Sequence, residues 1–189
     1  MHKWQRDATI LVLMLLVLGS VATPPAAADD GTIVGTWIVT TTLNLLPGAP
    51  PLVFTELAAF NRGGTFTDTH AVAHASQNPF LPPLLAIDTS DAYGSWRRVD
   101  GSRRFALTFK RLIFAGQNTS VAAYGPFVLG QHIGFETVQT VLTLGHGQDR
   151  DTFAGPFTVE LTSLVGQVLF AASGTVAGRR LEIEALTTP

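Results

Sequence analysis

The chain has 189 residues, 46% of them hydrophobic and 14% charged, with a formal net charge of −2 and no cysteine. No basic face is available to nucleic acid. The lack of thiols excludes disulfides, a thiolate metal site, a cysteine nucleophile and a lipid-modified cysteine anchor.

Residues 1–28 read as a secretory signal peptide. Lys3 and Arg6 form a positive start, Ala8 to Ala22 an apolar core, and Ala26-Ala27-Ala28 a small-residue cleavage site. The apolar run, about 15 residues, is shorter than the roughly 20 a membrane-spanning helix needs. Cleavage after Ala28 leaves a single domain, 29–189. Losing Lys3, Arg6 and Asp7 with the leader leaves 10 basic against 13 acidic side chains, a net charge of −3. The expectation is a secreted or periplasmic monomer with no stable membrane anchor after processing. A domain of that size buries enough apolar surface to fold without disulfides.

Beyond residue 28 no window sustains a helical period, whereas period two recurs between glycine-rich breaks. Strands are expected near 33–43, 52–60, 64–73, 93–99, 103–114, 132–144, 151–163, 167–176 and 179–186. Pro47-Gly48, Arg62-Gly63-Gly64, Asp100-Gly101, Gly145-His146-Gly147, Val165-Gly166 and Ala177-Gly178 mark the turns between them. Most links are short, so consecutive strands pair antiparallel. Two longer stretches, 74–92 and 115–131, join 44–51 as loops around a mouth. The fold class is therefore all-β, with a sandwich as one solution and a closed antiparallel up-and-down barrel of eight or nine strands as the other. Closure removes exposed edges, and few Lys or Pro guard the first and last strands.

Strand parity identifies the inner wall. Ile33, Gly35, Trp37, Val39, Thr41 and Leu43 share one face of the first strand. On the last strand Leu181, Ile183 and Ala185 share a face with Arg179. In a closed barrel these strands are neighbours, so the Arg179 guanidinium is expected to cover the Trp37 indole, worth roughly 0.5–2 kcal/mol. A bulge at Gly178 would give that role to Arg180.

Gly35-Thr36-Trp37 with a late-strand arginine resembles the lipocalin (calycin) arrangement, in which such an arginine covers the tryptophan. That resemblance implies a lipocalin-like β-barrel with Trp37 and Arg179 as structural residues. The chain departs from classical lipocalins in lacking a Thr-Asp-Tyr segment and a C-terminal helix. Over nearly all of 29–189 it is also similar to a group of secreted bacterial proteins with no known activity. The shared features include Gly63-Gly64-Thr65, Gly94-Ser95-Trp96, Arg104 to Phe109, Asp151 to Phe157 and Gly174-Thr175-Val176. This likeness implies fold, not chemistry.

Several polar residues fall on expected inner faces. Glu56 shares parity with Phe54 and Phe60, Asp68 and His70 with Phe66, and Arg98 with Trp96. Buried charges need partners, so a Glu56–Arg98 or Asp68–Arg98 pair is expected, unless these side chains reach water at a rim. Arg111, on the face of Phe105, Leu107 and Phe109 but late in its strand, is expected to reach solvent. His70 and His74 on one strand lie roughly 13 Å apart, too far for one metal. No nucleophile elbow, phosphate loop or dinucleotide fingerprint occurs. Neither a metal nor a cofactor is expected.

Three classes of function remain open at this level. The first is a binding module for a small apolar or amphipathic ligand, lined by Phe54, Glu56, Phe60, Phe66, His70, Trp96, Arg98, Phe105 and Phe109. The second is a small-barrel cyclase or isomerase, with His70, Asp68 and Glu56 as weak catalytic candidates. It requires a strongly shifted pKa inside a pocket. The third is a structural or interaction protein with a filled core and a partner site on the apolar run 79–85. Fold analogy cannot choose among them.

Overall fold

A computed structural model describes residues 31–45, 48–69, 75–78, 80–100 and 103–182. Nine strands account for most of them: β1 Gly35–Asn44, β2 Leu52–Phe60, β3 Thr65–Thr69, β4 Ile87–Thr89, β5 Ala92–Val99, β6 Arg104–Ala115, β7 His132–Leu144, β8 Thr152–Ser163 and β9 Val168–Arg180. Every pairing is antiparallel, and β6–β7 and β1–β9 contacts close eight of the strands into an up-and-down barrel. Of the two solutions the alternating sequence pattern allows, the structure takes the closed barrel, and its layout is consistent with the calycin-like barrel that Gly35-Thr36-Trp37 implies.

The ninth strand, β4, lies within the stretch expected to be only a loop. It pairs with β6 (Ile87↔Ala115, Thr89↔Ile113), directly beyond the β5–β6 ladder that ends at Tyr93↔Lys110. β4 is thus the upward continuation of β5, offset by one residue at Ser90–Asp91. That offset flips the inward parity from odd in β4 to even in β5, so a short apolar run there carries no continuous period-two signal.

The last two expected strands are one. β9 runs unbroken through Ala177-Gly178, which is not a turn, and ends at Arg180. Leu181 is half exposed outside the strand, and 183–189 lie outside the described residues. The inner face of β9 therefore has even parity, carrying Gly174, Val176, Gly178 and Arg180. Arg179 points to solvent.

Alternation places a strongly apolar wall inside. Trp37, Ala58, Phe60, Phe66, Phe105, Leu107, Val138, Leu142, Leu144, Phe153, Phe157 and Val159 form one buried cluster. Its floor is at the N-terminal end of β1. Trp37 is fully buried there, donates from Nε1 to the Ile33 carbonyl (2.8 Å) and packs on Phe153 with ring centroids 4.9 Å apart. Arg180, not Arg179, covers the indole: its guanidinium carbon stands 4.3 Å from the ring centroid. Its nitrogens donate to the carbonyls of Val34 (2.6 Å) and Thr32 (3.0 Å) and to Asp151 Oδ1 (2.8 Å). Gly35 is required beside it. At φ 137° it occupies backbone space other residues rarely adopt, and a Cβ there would stand 2.6 Å from Arg180 Nη1.

The strand order puts the β1–β2, β3–β5, β6–β7 and β8–β9 connections at the opposite end of the barrel, and the described residues of the three stretches expected at a mouth belong to the first three of them. A second apolar cluster of Ile87, Ile113, Ala115, Ile133 and Leu161 lies at this end, joined by Leu85, Tyr124, Phe127 and Phe170. Two of the loops are tied across it. Thr119 Oγ1 donates to the Ala86 carbonyl (2.5 Å), the Ser120 amide to Pro83 (2.9 Å), Asn118 Nδ2 to Ser76 (2.9 Å) and the Tyr124 hydroxyl to Leu84 (3.1 Å).

Candidate functional site

Between the aromatic floor and the upper cluster lies a cavity of about 70 Å³. It has room for roughly five waters or one molecule of a few heavy atoms. Val39, Phe60, Leu107, Phe109, Val138 and Phe157 supply much of its apolar wall. Phe66 and Phe109 stack on one side of it at 5.0 Å, and Phe60 meets Phe66 at 4.9 Å.

Four ionisable side chains share this wall. Glu56 comes from β2, Asp68 from β3, Arg111 from β6 and Glu136 from β7. The strand order brings them together, because an inward residue near the middle of each strand meets its counterparts across the barrel. Arg111 is the hub. Its Nη1 donates to Glu136 Oε1 (2.9 Å), and its Nη2 donates to Glu56 Oε1 (2.8 Å) and to Asp68 Oδ2. Thr41 Oγ1 donates to Glu56 Oε2 at 3.1 Å, and the guanidinium also lies 5.0 Å from the Phe109 ring centroid. The Arg111 side chain is 3% exposed and that of Asp68 3%. Asp68 Oδ1 and Arg111 Nε have no hydrogen-bond partner among the described residues.

The electrostatics follow from this crowding. Burial pushes the Asp68 carboxyl up, and the neighbouring Glu56 charge adds to it. Arg111 offsets only part of this, so Asp68 titrates at about 8 rather than 3.8. Burial opposes the charge on Arg111 too, but Glu136, Glu56 and Asp68 outweigh it and hold the guanidinium above its ordinary value. At the rim, burial followed by the Glu136 charge raises the Tyr124 phenol to about 12.

The expected lining is recovered in part. Phe54, Glu56, Phe60, Phe66, Asp68 and Phe109 all line the cavity. Trp96 and Phe105 lie below it, 5.7 Å apart, with Trp96 Nε1 donating to the Thr65 carbonyl. Arg98 is exposed near the floor, where it donates to the Gly31 carbonyl (2.6 Å) and covers Phe105 at 5.3 Å. It pairs with neither Glu56 nor Asp68. β5 ends one residue later at Val99, so Arg98 is level with the floor, not with the ionic cluster. His70 and His74 lie outside the described residues. Among the described residues no group of His, Cys, Asp and Glu side chains is arranged to hold a metal ion.

Arg111 overturns the expectation that it reaches water. β6 continues past it to Ala115 beneath the upper cluster, which leaves Arg111 at mid-barrel. Glu136 was not anticipated, although parity with Val138, Leu142 and Leu144 marks it as inward. Of the apolar run proposed as a partner site, Phe80 is 92% exposed, but Leu85 packs on the upper cluster.

Fold and site together define a closed up-and-down β-barrel with a small apolar cavity around a buried ionic cluster. Comparison of the chain with family models, with curated proteins and with solved structures finds no match.

Proposed function

We propose that this protein is an exported, monomeric, lipocalin-like barrel that binds one small apolar or amphipathic molecule in its cavity. The observation that carries this reading is the space itself. A barrel of eight strands is narrow enough to be filled by its own side chains, yet this one keeps about 70 Å³ between aromatic floor and rim, with polar groups on an otherwise apolar wall. Small-molecule sites have this character, apolar surface with a few convergent polar groups. The resemblance of Gly35-Thr36-Trp37 to the lipocalin floor supports it, as residues 1–28 support export.

The test has two parts. Native mass spectrometry of the protein from its own host is expected to show a bound small molecule. NMR titration of stripped protein with xenon is expected to shift Val39, Leu107 and Val138. A bare polypeptide mass together with unmoved resonances would overturn the proposal.

A second reading, acid catalysis in a cyclase or isomerase, is favoured by the burial of Asp68 in the cavity wall beside Glu56. Asp68, with a pKa of about 8, holds its proton at neutral pH inside the cavity. It predicts turnover of an apolar substrate that Asp68→Asn abolishes, and substrate recovered unchanged would exclude it.

A further inference from the structure

We infer that the polar end of the ligand is a compact ammonium group, so that the barrel selects small aliphatic primary amines, with Asp68 as the accepting carboxylate. This inference rests on the binding reading above and names its ligand class. Two independent features lead to it. The first is charge balance: Glu56, Asp68 and Glu136 converge on one guanidinium, and Arg111 is the only cation lining the cavity among the described residues. A second positive charge is therefore favoured there and a negative one is repelled. The second is an unmet polar atom: Asp68 lines the cavity, is 95% buried by its 5% exposure, and leaves Oδ1 without a partner among the described residues. Burying a polar atom unpaired is costly, and once the carboxyl has released its proton an ammonium N–H relieves it.

The size of the space sets the rest of the molecule. About 70 Å³ takes only a short chain, and its apolar wall suits a hydrocarbon tail rather than a second polar group.

Proton balance follows. Below pH 8 the carboxyl of Asp68 carries a proton and the free amine exists as the ammonium. Binding then transfers the Asp68 proton to solvent and leaves a carboxylate against the ammonium. Among the described residues, Glu56 from β2, Glu136 from β7, Arg111 from β6 and the Tyr124 hydroxyl near Glu136 are the other titratable groups around the site.

The experiment compares isobutylamine, isobutanol and isobutyric acid by calorimetry on the mature, stripped protein. The amine is expected to bind more tightly than the alcohol by roughly 10- to 100-fold, the worth of a charge-assisted hydrogen bond, and the acid least tightly. Amine affinity should rise with pH up to about 8, hold, and fall as the amine itself deprotonates above about 10. Titration in buffers of different ionisation enthalpy should show a proton released below pH 8. In Asp68→Asn the preference for amine over alcohol should collapse, with the variant's fold checked by its amide NMR spectrum. If that variant does not fold, the proton release and pH profile of the wild type decide. Alcohol bound as tightly as amine, the acid bound best, or no proton release would overturn the amine assignment while leaving a binding barrel. Failure of all three probes to bind would count against the binding reading itself.

Discussion

Arg111 holds three acidic side chains inside the barrel, and they hold it. Removing the cation while leaving the acids is the costly change, since uncompensated buried charge destabilises by about 3–5 kcal/mol. Arg111→Met is expected to lose stability on that scale at neutral pH, read as a lowered urea midpoint with unchanged slope. Asp68 gives a prediction of opposite character. Its pKa is raised on folding, so between about 4 and 8 the native state binds more protons than the unfolded chain. Stability from this group is fully present below pH 4, falls as pH rises through that window, and is lost above about 8. Urea midpoints of the wild type at about pH 5 and pH 8.5 should show this decline. In Asp68→Asn the part due to this group should vanish. A wild-type profile that rises across the window would contradict the raised pKa.

At the scale of the element, β9 decides how the floor is closed. Its even parity sends Gly178 inward against the Phe153 ring, where an added Cβ would stand 2.3 Å from Cζ. Gly178→Ala should cost about 1–3 kcal/mol through overpacking, measured by thermal or urea unfolding. The same parity separates two adjacent arginines. Arg180→Met removes the cation over Trp37 and hydrogen bonds to Thr32, Val34 and Asp151, for an expected loss of about 2 kcal/mol or more. Arg179→Met, on the outer face, should stay within about 0.5 kcal/mol of wild type. Equal losses at the two positions would mean that the β1–β9 register, Trp37 opposite Arg180, is not the one in solution.

Across the whole molecule the two ends are built differently. The floor is fastened by arginines and aromatic rings. Among the described residues the mouth is fastened by hydrogen bonds between loops, and it exposes Phe80, Val128, Leu129 and Val165. Thr119 is the central tie, accepting from the Gly116 amide (2.8 Å) while donating to Ala86. Thr119→Val leaves both partners unpaired and should loosen the rim by about 1–3 kcal/mol. Hydrogen exchange should then speed up at Ser120 and Ala115, while the Leu144 and Arg180 amides near the floor keep their protection.

Alternation in β1, β2, β6, β7 and β8 was legible in the sequence, and so were the closed barrel class and much of the aromatic wall. Period two is a local property: every second side chain must face the core, whatever the strand's neighbours. The ionic cluster was half legible. Glu56 and Asp68 declared themselves beside phenylalanines, and Glu136 could have done so beside Val138 and Leu142. Their partner could not be read the same way, because parity gives the face of Arg111 and Arg98 but not their height along the barrel. Height depends on where each strand starts and on its register with its neighbours. That placed Arg98 at the floor and Arg111 at the centre. Register likewise gave Trp37 to Arg180, and a one-residue offset hid β4. Where alternation runs unbroken, as in β1, β2 and β6, the sequence by itself determined which residues face inward; in β4 and β9 it did not. Only the tertiary structure decided which of them meet, because pairing across a closed barrel joins residues from strands far apart in the chain.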